Sequence, residues 1–286
     1  MGETPQLFSV LFGLCSFYFP HAELQTAQEL GEQCLSLAQS MQDPALLLEA
    51  HMLRGISLYY SGEFVPARER FAQGSALYDS QQHRSHAFIY GQDPGVCYGV
   101  YTAYALWQLG YPDQDLKKIH EAVTLAQELA HPFSLALALN WAAISHQLRR
   151  EGYLAQERAE AAITLSTEHG FPFCVALGTV LRGWALAEQG QEEEGIAQMR
   201  QGVDGWRETG AEIWRPYFLA LLAEVYGKVG HTEEGLSVLA EALAQVDKTG
   251  ERWYEAELYR LRGELTLQQE NQKAKIKRQK AKITNP

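Results

Sequence analysis

Three side chains able to ligate a metal fall within eleven residues of each other: His83, His86 and Asp93, in the stretch SQQHRSHAFIYGQDPG at 80–95. Two imidazoles and a carboxylate suit zinc, but a closed site needs a fourth ligand and a rigid element to hold the set. Neither is evident, so the three are expected to be solvated loop residues and no metal is assigned. His120, His131, His146 and His169 share no spacing that would converge them, and each is expected to be a surface or satisfied core histidine. The chain has no G-x-S-x-G, H-E-x-x-H or C-x-x-C, and no G-x-x-x-x-G-K-[ST] that would cradle a phosphate. No catalytic residue or cofactor is assigned, and the expectation is a protein that is not an enzyme.

A different chemistry, recognition, is carried by Tyr59, Tyr104, Trp107, Asn140, Gln147 and Trp184. Aromatic rings with polar handles and side-chain amides suit the capture of a peptide or protein segment. Whether six scattered residues share one surface depends on the elements that carry them.

Those elements follow a ruler. Small residues recur at Cys15, Gly55, Ala103, Ala143, Gly183, Ala223 and Gly263, in steps of 40, 48, 40, 40, 40 and 40. Seven residues after each of the first six stands a turn position: Ala22, Gly62, Gly110, Arg150, Gly190, Gly230. Twelve after comes a second small position (Ala27, Ala67, Asp115, Ala155, Gly195, Gly235), and nineteen after a third (Cys34, Gly74, Ala122, Ala162, Gly202, Ala242). Self-similarity at this period is the signature of stacked helical hairpins. Small residues let two helices cross closely, and glycine at the turn ends a helix with a positive φ.

The pattern resembles the tetratricopeptide repeat, whose usual period is about 34 residues. Late prolines, Pro44, Pro132 and Pro172, point to a longer second helix that accounts for the excess. The expected fold is all-α: a right-handed solenoid of about six helix–turn–helix repeats over residues 1–270, with a C-terminal capping helix. First helices are expected near 4–19, 44–61, 95–109, 133–149, 172–189 and 212–229. Their partners are expected near 21–41, 64–80, 113–130, 152–169, 192–209 and 232–249, and the cap near 252–270. The single 48-residue step places an insertion at 80–95. In such a stack the first helices line a concave groove, and the six recognition residues fall on its wall.

Of the 286 residues 46% are hydrophobic and 21% charged, which is globular composition, and the net charge is −11. The tail, 271–286, carries six Lys or Arg and no acid, so the rest is more acidic still. That balance repels phosphate backbones and argues against nucleic acid. The tail is expected to be disordered, with too few apolar residues to pack. Cys15, Cys34, Cys97 and Cys174 are spread singly and read as small core residues of a reducing compartment. The apolar run Leu7–Pro20 follows Glu3 without a basic residue or a cleavage site, and is too short to span a bilayer. A buried first helix, no membrane and a cytoplasmic location are the expectations.

A closer resemblance rests on an ordered series: YGQDPG at 90–95, ALWQLGYPDQ at 105–114, LRREGYLAQE at 148–157, LRGWALAEQGQEEEG at 181–195, RPYFLALLAE at 215–224 and GERWYEAELYRLRGE at 250–264. Together these are similar to the C-terminal tetratricopeptide region of bacterial multidomain adenylate/guanylate cyclase–ATPase proteins. This chain contains neither the phosphate loop nor the paired-aspartate cyclase segment of that family. The resemblance therefore implies a regulatory module that binds a partner segment, or a cyclase or NTPase domain, in its groove. A helical repeat that senses a small ligand such as a sugar or peptide remains the alternative.

Overall fold

The computed structural model describes residues 5–284, and every regular element among them is helical. Six antiparallel pairs follow one another: α1 (Pro5–Tyr18) with α2 (Leu24–Met41), α3 (Pro44–Tyr60) with α4 (Phe64–Ser75), and, after a short α5 (His86–Ile89), α6 (Pro94–Gln108) with α7 (Pro112–Leu129). Then come α8 (Pro132–Leu148) with α9 (Gly152–His169), α10 (Pro172–Glu188) with α11 (Glu192–Glu208), and α12 (Arg215–Lys228) with α13 (Thr232–Thr249). A long α14 (Glu255–Thr284) closes the series. First helices stack in order, α3 on α6, α6 on α8, α8 on α10, α10 on α12 and α12 on α14. This is a tetratricopeptide-like helical solenoid.

Local chemistry explains the punctuation. All six turn positions of the ruler take positive φ, from 57° to 85°, including the two without glycine, Ala22 and Arg150. Five of the six second helices end the same way, at Gln42, Ala130, Gly170, Gly210 and Gly250, the exception being α4 before the insertion. Pro44, Pro132 and Pro172 stand two residues later and open the next helix instead of closing the previous one. At the first helical position the missing N–H costs nothing.

Packing explains the small positions. A Cβ added to Gly183 would sit 2.7 Å from the Gly195 carbonyl oxygen and 2.7 Å from the Met199 nitrogen. Gly202 on α11 is pressed as closely on Val180 and Ala176 of α10. Backbone therefore touches backbone where α10 crosses α11.

Three expectations are corrected. Residues 76–93 do not continue α4 to residue 80 but fold as turns around α5. The tail over 271–284 is helix, a continuation of α14; its Gln, Lys and Ala residues are good helix formers, and residues 285–286 lie outside the described part. The apolar run at the N-terminus forms α1, but only one face is covered. Phe8, Phe12 and Cys15 are buried, whereas Val10, Leu14 and Phe17 are 41–57% exposed.

Candidate functional site

The solenoid closes on itself. The loop before α12 reaches the end of α1, where the Glu212 and Ile213 N–H groups donate to the Pro20 carbonyl at 2.8 and 3.0 Å. The loop before α14 reaches the end of α3, where the Arg252 N–H donates to the Tyr60 carbonyl at 2.7 Å. Between them the Trp214 indole N–H donates to the Tyr60 hydroxyl. Glu251 joins the two loops, accepting from the Trp214 main-chain N–H at 3.1 Å and the Trp253 indole at 2.8 Å. Burial pushes the Glu251 carboxyl up to about 8, against those hydrogen bonds, which favour the charged form.

Closure fills the expected groove. Tyr59, Tyr104, Asn140, Gln147 and Trp184 are 0–3% exposed, and of the six residues only Trp107 keeps appreciable surface. Tyr59 packs 6.2 Å from Tyr104 and 5.9 Å from Trp253, ring centre to ring centre. The Tyr104 hydroxyl donates to the Trp141 carbonyl at 3.2 Å, and Asn140 donates to the Ala136 and Cys174 carbonyls. Gln147 accepts from the Tyr217 hydroxyl at 2.8 Å, and Trp184 lies under the Arg150 guanidinium. These residues are a plug between opposite sides of the ring of helices and not an open wall. Trp107 sits at one mouth with Gln108, Arg150, Trp253, Tyr254 and Arg260.

At the other mouth a cavity of about 240 Å³ remains. Its walls come from α1 (Phe12, Cys15), α3 (Met52, Ile56), α6 (Cys97, Tyr101), α8 (Leu137, Trp141), the start of α10 (Phe173) and the loop before α12 (Ile213, Trp214). The polar side chains on it are Ser16, Glu49, Ser57 and Gln92, with no Lys or Arg. Burial holds the Cys15 thiol up at about 12, so it stays protonated and unreactive.

The inserted segment supplies the polar corner. His86 on α5 is buried, and its Nδ1 lies 2.6 Å from Glu49 Oε1. The Glu49 carboxyl is raised above its usual range by burial, with the His86 hydrogen bond opposing and the Asp93 charge adding. Asp93 caps α6, accepting from the Val96 N–H at 3.1 Å and the Tyr78 hydroxyl, while its own N–H donates to the Ser134 hydroxyl at 2.9 Å. His83 Nδ1 accepts from the Asp79 N–H at 3.0 Å. The expectation of solvated loop residues is thus corrected: His83, His86 and Asp93 are all buried because the insertion folds back over the open edge of α3. The His83 and His86 rings meet edge to face at 5.0 Å, but among the described residues no group of three or more His, Cys, Asp and Glu is arranged to hold a metal.

Glu49 was the residue that pattern reasoning passed over. Its signal is in the ruler: six positions before the small residue the four middle helices α6, α8, α10 and α12 hold Cys97, Leu137, Leu177 and Tyr217, and only the end helices α1 and α14 hold polar residues, Ser9 and Glu257. A carboxylate in that register faces the interior. Asp115 is a second such departure, a buried acid where the other repeats hold alanine or glycine. It lies 3.3 Å from the Ser145 hydroxyl, and burial lifts it to about 7.

No known protein-family profile matches the chain. An uncharacterized protein of Rhizobium meliloti is 24% identical over 264 residues, covering 92% of this chain and 25% of its own length, so the chain spans about a quarter of that relative. Among solved structures, a Rap protein complexed with competence and sporulation factor is similar at 11% identity and TM-score 0.62, over 93% of this chain and 77% of that one. The apo form of RapI gives 12% identity and TM-score 0.57, over 92% and 99% of the two chains. A signal transduction ATPase with numerous domains and a tetratricopeptide repeat sensor, from Pyrococcus horikoshii, gives 13% and 0.51, over 88% and 39%. These likenesses carry the fold. Among the described residues no helix is long and apolar enough to cross a membrane.

Proposed function

We propose that this chain is a non-catalytic, regulatory binding module of the cytoplasm, which takes a side chain or small group of a partner into the cavity at the mouth of its closed solenoid. The single observation that carries the reading is the origin of the cavity walls, which come from α1 through α12. An occupant touches both ends of the ring at once, Phe12 on one side and Trp214 on the other, so binding is coupled to closure. A ligand that favours the closed form shifts the population by its differential affinity. The partner proposed is a protein segment of a nucleotide cyclase or signalling NTPase, on the strength of the sequence resemblance to such multidomain proteins. The Rap neighbour, complexed with competence and sporulation factor, is consistent with a solenoid of this shape holding a bound factor.

The small size of the cavity favours a second reading, a sensor of a small molecule, because 240 Å³ is below the roughly 300–1,000 Å³ of drug-sized sites. In both readings Tyr59, Tyr104, Asn140, Gln147 and Trp184 act by holding the ring shut, and Trp107 is left as a contact residue at the far mouth. The test is titration of purified cyclase and ATPase domains of the related proteins against the parent chain and Ile56→Trp, which fills the cavity. Loss of binding in a variant that stays helical supports the reading. Equal binding by both moves the partner surface elsewhere.

A further inference from the structure

We infer that the cavity beside Glu49 is a receptor for an organic ammonium ion, one whose cationic nitrogen carries alkyl groups. This rests on the reading of the cavity as the binding site and names its ligand chemistry.

Three observations combine. Aromatic side chains surround the space, with Phe12, Tyr90, Tyr101, Phe133, Trp141 and Trp214 among its lining residues. A ring that turns its face to the space attracts a cation through its quadrupole, most strongly where water is excluded. Next, Glu49 is 3% exposed and lines the cavity, yet only its Oε1 is engaged, by His86. Oε2 takes no hydrogen bond among the described residues, and a purely apolar occupant would strip it of water and leave it unpaired. Finally, no Lys or Arg lines the space to neutralise that carboxyl from within, and the net charge of −11 draws cations toward the protein. A metal ion is poorly served, because Glu49 is the one carboxylate on a mostly apolar wall. A bulky, weakly hydrated cation is well served.

Size agrees. Apolar cavities of about 150 Å³ take up benzene, so 240 Å³ holds a trimethylammonium head with a short chain. Such a head occurs on free metabolites and on methylated lysine side chains of proteins, and the chemistry of the site is the same for both.

The test compares choline with 3,3-dimethyl-1-butanol, its neutral isostere of the same shape, by calorimetric titration of the full chain. The expected result is at least about tenfold tighter binding of choline, as desolvated cation–π contacts imply. That preference should vanish in Glu49→Gln, which keeps a hydrogen-bonding partner for His86. Phe133→Leu is a second variant, chosen because Phe133 is only partly buried and leucine keeps an apolar side chain against the core. It should weaken choline severalfold and leave the isostere unchanged. Equal binding of the two compounds overturns the ammonium inference and leaves the cavity reading standing. Binding of neither overturns the inference, and the Ile56→Trp experiment then decides the cavity reading on its own. Where choline binds, competition with N-acetyl-trimethyllysine amide tells the sources apart: tighter binding of the lysine derivative assigns a partner's side chain, tighter binding of choline a free cation.

Discussion

The Arg252 N–H and the Tyr60 carbonyl oxygen meet at 2.7 Å, a main-chain hydrogen bond between the loop before the last helix and the end of the third. Repeat arrays are quasi-one-dimensional, each unit touching only its neighbours. This bond, with those from Glu212 and Ile213 to Pro20, breaks that rule and ties the chain into a ring. Cooperativity should therefore extend across the whole molecule, and the interior contacts should behave as a core.

The buried carboxyl that joins the two closing loops makes closure sensitive to pH. Glu251 in the folded chain holds its proton up to about 8, against an ordinary value of 4.5. The folded state binds more protons than the unfolded one between those values, so stability falls as pH rises through that window. Asp115, at about 7, adds in the same direction. His120 and His131, lowered by burial, act oppositely, losing stability as pH falls through their range. The readout is accordingly the difference between parent and Glu251→Gln in urea midpoint across the window. The variant should show the shallower decline, and parallel curves would remove Glu251 from the linkage.

Small positions of the ruler should divide by what crosses them. Gly183 faces the backbone of α11, so Gly183→Ala should cost roughly 1–3 kcal/mol through overpacking. Gly263 in α14 has nothing within 4 Å of the place its Cβ would occupy, so Gly263→Ala should stabilise by about 0.5–1 kcal/mol through helix propensity alone. Chemical denaturation of the two variants checks both signs. A neutral Gly183→Ala would mean that α10 and α11 cross farther apart.

His86 gives a test of the insertion. Removing its ring leaves Glu49 buried without its one partner, at a cost of roughly 1–3 kcal/mol, limited because the carboxyl can take up a proton. The melting temperature of His86→Ala should drop by the same amount in zinc and in chelator. A zinc-dependent rise in the parent that disappears in the variant would make the insertion a metal site.

The repeat was legible in residues such as Gly62, Gly190 and Gly230, because a helix end needs a positive φ and glycine supplies it wherever the end falls. The choice of inward residues was legible too: Tyr59, Tyr104, Asn140, Gln147 and Trp184 all point to the interior. What periodicity could not convey was the curvature of the stack. A 40-residue repeat says that neighbours touch, whereas the meeting of Tyr60 with Trp214 and Trp253 depends on small rotations summed over five repeats. For the same reason an expected groove became a core, and the open space moved to a corner built partly by the irregular insertion. Glu49 lies on a helix of the common period but His86 lies in the insertion outside it, so no repeat pattern pairs them.

Trp253 offers the sharpest check on closure. Its ring lies 5.9 Å from Tyr59 and 5.2 Å from Tyr217, ring centre to ring centre, and is almost fully buried between helices from opposite sides of the ring. Trp253→Ala should cost about 3–5 kcal/mol, the range for truncating a large core aromatic. In an open solenoid the damage would stay within the last repeats. In a closed one, hydrogen exchange should accelerate in α1 and α3 as well, because Pro20 and Tyr60 lose the loops that hold them. A small-angle scattering profile of the same variant should show a larger radius of gyration at unchanged helix content. If exchange rises only in α13 and α14 and the radius stays constant, the ring is held by other contacts, and the loop at Glu212–Trp214 becomes the element to remove next.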